Sequence, residues 1–200
     1  MQVLFVYILV SLFADYILLT HSYKDFPRLT ITVFSFFTIL EYTLFSLFLF
    51  LIIKNKYFKR VILTISIFFL SFFLFNYFSN INAPKKFDSA AASIESILII
   101  IYCIFFFFDQ INNPEIVMIY ESHRFWAITG FLIYMAGELF LFIYADELTN
   151  QQRVNSWTIN TIANLIKDVL IGVTIVMNKK NINLNSKMNS FWKVVPLNFA

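Results

Sequence analysis

The sequence predicts an all-α integral membrane bundle of six transmembrane helices, up-and-down, with no soluble domain. Three observations lead there. The 200 residues are 60% hydrophobic and only 14% charged, against about 45–50% and about 25% in soluble domains. The apolar residues gather into six runs, at about 3–19, 31–53, 61–78, 89–108, 125–144 and 157–177, each near the ~20 residues that cross a bilayer as a helix. All four prolines, Pro27, Pro84, Pro114 and Pro196, fall outside the runs, so no span carries a proline kink.

The first run opens directly after Met1 and Gln2, with no basic segment before it and no small-residue cleavage site after it. It is expected to be a retained first helix and not a signal peptide. The second run ends at the basic segment KNKYFKR, residues 54–60, which reads as an anchor on anionic lipid. The third has no charge within its span, only Thr64, Ser66 and Ser71, and is expected to be the most lipid-exposed helix. The fourth holds the single cysteine, Cys103. A lone thiol forms no intrachain disulfide and no cysteine zinc cluster, so it reads as a small buried hydrophobe.

The longest connection, residues 109–124, contains IVMIY at 116–120, too short to cross and suited to the membrane interface. Trp126 and Trp157 stand at the starts of the fifth and sixth runs, where an aromatic belt would place them. Residues 1–178 are thus expected to form the transmembrane domain. Residues 179–200 form a short cytoplasmic or interfacial tail, in which Phe191, Trp192 and Lys193 make a surface anchor.

Orientation follows from lysine and arginine in the connections. With six spans, one side holds Lys54, Lys56, Lys59, Arg60, Arg124, Lys179, Lys180, Lys187 and Lys193; the other holds Lys24, Arg28, Lys85, Lys86 and Arg153. Nine against five places both termini in the cytoplasm. The net charge of +3 is explained by these helix ends, and nucleic acid is not an expected partner.

Charge inside the spans is the informative departure. Lys167 and Asp168 sit near the middle of the sixth run, where a charged side chain costs about 2.5–3.5 kcal/mol on insertion scales. That helix is expected to be packed inside the bundle with its polar side inward. Asp15, Glu41, Glu95 and Glu138 lie within other runs. Because i and i+4 share a helix face, the polar residues form stripes: Tyr7, Ser11 and Asp15; Thr38 and Tyr42 beside Glu41; Ala91, Glu95 and Tyr102; Gly130, Tyr134 and Glu138; and Asn160, Asn164, Asp168 and Gly172. The candidate intramembrane polar cluster is therefore Asp15, Glu41, Glu95, Tyr134, Glu138, Asn160, Asn164, Lys167 and Asp168.

With the termini inside, Glu41, Lys167 and Asp168 fall near the midplane and Asp15, Glu95 and Glu138 toward the outer half, a polar funnel closed on the cytoplasmic side. The single ammonium is expected to pair with Glu138 or Glu41. The remaining acids must be protonated, reached by water or neutralised by a proton or monovalent cation. Interhelical hydrogen bonding alone, about 0.6 kcal/mol per bond, could also account for such a set. Gly130 and Gly137 read as close helix contacts and not as an ion site.

Chemistry beyond this is sparse. The sequence has no G-x-S-x-G, H-E-x-x-H or Walker pattern, and His21 and His123 lack a metal-ligand partner in spacing. No cofactor and no metal is implied. Glu41 and Glu138 would correspond in a three-plus-three inverted repeat, but transporter sites of that type use helices broken at Gly or Pro, which these spans do not offer.

From Asn112 to Val173 the chain resembles a group of small multi-pass proteins of AT-rich Bacteroidota-type genomes. The residues concerned are Asn113-Pro114-Glu115-Ile116, Phe125-Trp126 leading to Gly130, Ile133-Tyr134, Gly137, and Asn164 to Lys167 with Ile166; Glu41-Tyr42 is a further echo. Asp168 departs from that pattern, where an amide is commoner. The resemblance implies a bacterial inner membrane location and no catalytic assignment.

The resulting expectation is a non-enzymatic membrane module in the lipid bilayer, with a sensor, assembly or partner-binding role. A membrane or cytoplasmic protein partner would meet it through residues 109–124 or the tail. The alternative is a small proton- or cation-coupled transporter or channel using Glu41, Glu138, Lys167 and Asp168. A third reading, an intramembrane lipid enzyme, would use Asp15 and Glu95 as its acid/base pair.

Overall fold

The computed structural model describes residues 2–20, 27–79, 89–112, 119–143 and 158–178. Those residues form helices α1 (Gln2–Thr20), α2 (Pro27–Ile52), α3 (Lys56–Ser79), α4 (Ser89–Asn112), α5 (His123–Ile143) and α6 (Thr158–Asn178), with a 3₁₀ turn at Ile119–Glu121. Five of the helices are long and apolar enough to cross a membrane, and α1 carries a shorter apolar stretch, Gln2–Ala14. The chain is an all-α membrane bundle.

Local chemistry sets the junctions. Pro27 opens α2, where a missing N–H costs nothing because a helix's first amides are unpaired anyway. α2 ends and α3 begins across three residues. Asn55 caps α3, its Oδ1 accepting the Tyr57 amide at 2.8 Å and its carbonyl accepting the Lys59 amide at 3.1 Å. The Lys54 amide donates to Asp109 Oδ2 at 2.8 Å, which ties the end of α2 to the end of α4. Residues 109–112, expected in the connection, are therefore the last turn of α4, and α5 starts at His123. The 3₁₀ turn is fixed to α5 by Trp126 Nε1 donating to the Tyr120 carbonyl at 2.8 Å.

The packing is that of a ring. α4 and α5 make the most extensive contact, and α2 packs against α1, α3 and α4. α6 lies antiparallel on α5 through two glycines. A Cβ on Gly130 would meet Lys167 O and Leu170 Cβ at 3.3 Å, and one on Gly137 would meet Ala163 Cβ at 2.9 Å. Both are close-approach positions, as their sequence context suggests. Of the five long spans α3 buries the smallest share, with Phe68, Phe72 and Phe75 exposed. Aromatic rings fill the centre: Phe45, Phe106 and Phe131 are fully buried, as is Cys103.

α6 departs from expectation. It is not enclosed but buries one strip, Asn160, Ala163, Lys167, Ile171 and Thr174, and leaves Ile159, Ile162, Leu165, Val169 and Val176 exposed. Such a helix is a peripheral member of the bundle that delivers a single charge inward.

Candidate functional site

The buried charges meet at the level where α1, α2, α5 and α6 converge. Lys167 is 1% exposed. Its ammonium donates to Tyr7 Oη and lies over two ring faces, 4.8 Å from the Tyr7 centroid and 3.9 Å from that of Tyr134. A desolvated cation–π contact is worth about 2 kcal/mol, so the rings replace much of the lost hydration. Gly130 favours this position, because a Cβ there would press on the Lys167 backbone at 3.3 Å.

Tyr7 Oη in turn donates to Glu41 Oε1 at 2.8 Å. Tyr134 Oη donates to Glu138 Oε1 and also stands 3.4 Å from Glu41 Oε2. A phenol has one proton. Tyr134 therefore offers a single hydrogen to two carboxyl groups on different helices, and Glu138, on the next turn of the same helix, takes the closer share. The expected pairing of Lys167 with Glu41 or Glu138 is thus realised indirectly. The ammonium reaches Glu41 through the Tyr7 hydroxyl, while its only ion pair among the described residues is with Asp168 at 3.8 Å.

Asp168 does not join the cluster. Its side chain is 54% exposed. The helix period explains this. A row of i+4 positions advances about 40° at each step on a helix of 3.6 residues per turn. The row Asn160, Asn164, Asp168, Gly172 therefore starts on the buried strip and walks off it. Asn160 is buried, Asn164 is half-buried and Asp168 is exposed; a Cβ on Gly172 would meet nothing within 4 Å.

The other members are not joined to this network by hydrogen bonds at their orphaned oxygens. Glu95 of α4 is 3% exposed and within electrostatic reach of both Glu41 and Glu138. Its Oε1 accepts no hydrogen bond, and neither does Oδ1 of Asn160 or Asn164. The Gly137–Ala163 contact sets Glu138 between the levels of the two asparagines. The side chain of Asp15 lies outside the described residues. Its pairing with Glu95, on which the lipid-enzyme reading depends, is therefore not part of the geometry.

One side of the network is closed by rings. Phe45 and Phe131 stack at 3.9 Å, Tyr7 packs on Phe45 at 4.5 Å, and Phe48 meets Phe131 edge-on at 5.7 Å. Phe45 follows Glu41 by one turn and Phe131 precedes Tyr134 by nearly one, so the floor lies toward the α2–α3 junction with its basic segment. A second polar knot fastens α3 outside the ring: Tyr42 Oη donates to Ser66 Oγ at 2.9 Å and meets Tyr102 Oη at 3.1 Å.

Tyr7 is the functional residue that the candidate cluster lacked. Its stripe with Ser11 and Asp15 was the available signal, but in a chain with 10 tyrosines and 27 phenylalanines one more aromatic on an apolar helix does not stand out. Fold and site together define a multi-pass α-helical membrane protein with a hydrogen-bonded ionic core. No protein-family model, curated protein or solved structure matches the chain.

Proposed function

We propose that this chain is a non-enzymatic module of a bacterial inner membrane, with both termini in the cytoplasm. In this reading it engages a membrane or cytoplasmic protein partner and relays to it the state of its polar core. The observation that supports this is the ring floor beneath the network. Glu41, Tyr134 and Lys167 are backed by the stacked Phe45 and Phe131, and the helices on which they sit run unbroken through that level. A through-pathway needs polar lining on both sides of its gate, and irregular backbone at membrane depth is the usual way to supply it. A core that is polar above and aromatic below suits reception from one side.

The surface for such a partner lies within residues 109–124, where Tyr120 is exposed just before the start of α5. Cross-linking followed by affinity capture from native membrane is expected to recover one specific protein. Recovery should weaken when Tyr120 and Arg124 are replaced together by alanine. Capture of nothing beyond abundant membrane proteins would remove the proposal.

A second reading, a proton- or cation-coupled carrier, is favoured by one feature, the single Tyr134 proton facing two carboxyls. It requires a pH-dependent flux in liposomes that Glu138→Gln and Lys167→Met abolish while the protein still inserts. Absence of any flux, or flux unchanged from the parent in both variants, leaves the module reading.

A further inference from the structure

We propose a binding site for one small monovalent inorganic cation among Glu95, Glu138, Asn160 and Asn164. It deepens the one-sided reception reading and rests on it for the direction of entry. Buried polar atoms in folded proteins are nearly always paired, and a buried carboxylate without a partner is among the costliest exceptions. Here three buried acceptors are unpaired: Glu95 Oε1, Asn160 Oδ1 and Asn164 Oδ1. They come from α4 and α6; Glu95 is within electrostatic reach of Glu138 of α5, and the Gly137–Ala163 contact sets Glu138 at a depth between the two asparagines.

The chemistry of the set selects the ligand. All three orphaned atoms are acceptors, so the missing partner is a donor or a cation. Among the described residues Lys167 is the only ammonium at this depth. Its contacts are the Tyr7 hydroxyl, two ring faces and Asp168, and Glu95 is not among them. Carboxylate and amide oxygens are hard ligands that suit alkali cations and not thiolate-seeking metals. Among the described residues no three His, Cys, Asp or Glu side chains are grouped to hold a metal ion. The acids Glu41, Glu95 and Glu138 outnumber Lys167, and Glu41 and Glu138 are already served by tyrosine hydroxyls. Glu95 is the carboxylate left over, and one positive charge balances it.

The test uses the full-length protein in detergent at fixed pH and fixed ionic strength, in sodium, lithium, potassium or choline chloride. The melting temperature is expected to be higher in one or more alkali chlorides than in choline. It should climb with the logarithm of that cation's concentration, as for any ligand that binds the folded state alone. Glu95→Gln is expected to weaken the apparent affinity by about tenfold or more, the value of one charge-assisted contact, whereas Asp168→Asn leaves it unchanged. Equal melting in choline and all alkali chlorides overturns the proposal, and that comparison needs no variant to fold. Melting that follows pH but ignores cation identity also overturns it and gives Glu95 a proton instead. Retained cation dependence in Glu95→Gln overturns the placement. Partner capture is read separately: a cation-dependent melt without a captured partner sinks the module reading and leaves the site standing.

Discussion

Lys167 of α6 donates its hydrogen bond to the hydroxyl of Tyr7 in α1, across a sequence separation of 160 residues. That contact joins the described ends of the chain and sets the protonic order of the core, because Tyr7 must then spend its own proton on Glu41. Two acids and one base are thereby connected through tyrosines and not by direct ion pairing. The arrangement keeps the ammonium beneath ring faces, where its charge is partly satisfied without water.

Tyr7→Phe keeps the ring and removes the bridge. It leaves the ammonium and one oxygen of Glu41 without their shared partner, and losing a buried hydrogen bond to a charged group costs about 1.5–3 kcal/mol. Unfolding of the variant in mixed micelles is expected to occur at clearly lower denaturant than for the parent. Lys167→Met in the same background should recover part of the loss, because no buried charge then remains on α6. A double-mutant cycle with no coupling between the positions would contradict the bridge.

Phe131 touches Tyr7, Phe45 and Phe48 at once. Phe131→Ala should cost about 3–5 kcal/mol, the usual range for emptying a buried aromatic site, and should loosen the floor under Glu41. Phe125→Ala, at a half-buried position on the same helix, is the comparison and is expected to cost less. The thermal melts of the two variants decide the order.

The glycines of α5 and α6 should behave oppositely. A Cβ on Gly137 would meet Ala163 Cβ at 2.9 Å, so Gly137→Ala must push α6 away, at about 1–3 kcal/mol for an overpacked contact. Ala163→Gly in the same chain should restore most of the stability by returning the lost space. Gly172→Ala meets nothing within 4 Å and should be neutral or slightly stabilising, as expected from helix propensity. Melting temperatures of the three variants test the register of α5 on α6 directly.

What was legible beforehand was whatever apolar length and turn chemistry control. Helices α2 to α6 lie where their apolar runs are, because a bilayer demands a fixed length and intact backbone pairing. The inward acids Glu41, Glu95 and Glu138 and the inward Lys167 were legible for the same reason: each is too costly to leave in lipid. Partner choice was not. Lys167 chose a tyrosine over the carboxylates of α2 and α5, which depends on ring positions that no spacing rule encodes. Asp168 falls outside the core because i+4 neighbours do not keep a fixed face, and the buried strip of α6 mixes steps of three and four from Asn160 through Ala163 and Lys167 to Ile171 and Thr174. Residues 109–112 look like connection in the sequence because Asp109, Gln110 and Asn112 are polar. Yet Asp109 is buried and accepts the Lys54 amide, a contact formed only when α2 and α4 end side by side.

Asp168 supplies the last test, since its neighbour differs from it by one residue and by nearly its whole environment. Lys167 is 1% exposed and Asp168 is 54% exposed. A carboxylate on the outer flank of α6 contributes to the core only through its 3.8 Å approach to the ammonium. Replacing it by asparagine keeps the shape and removes a charge that is expensive at membrane depth, by about 2.5–3.5 kcal/mol on insertion scales for a central position. Asp168→Asn is therefore expected to insert at least as well as the parent and to melt within a few degrees of it. Lys167→Gln, of comparable size change, should lose the Tyr7 contact and both ring contacts and melt far lower. Equal damage from the two substitutions would mean that the ammonium depends on Asp168 more than on Tyr7, and the order of the core drawn from these distances would then have to be reversed.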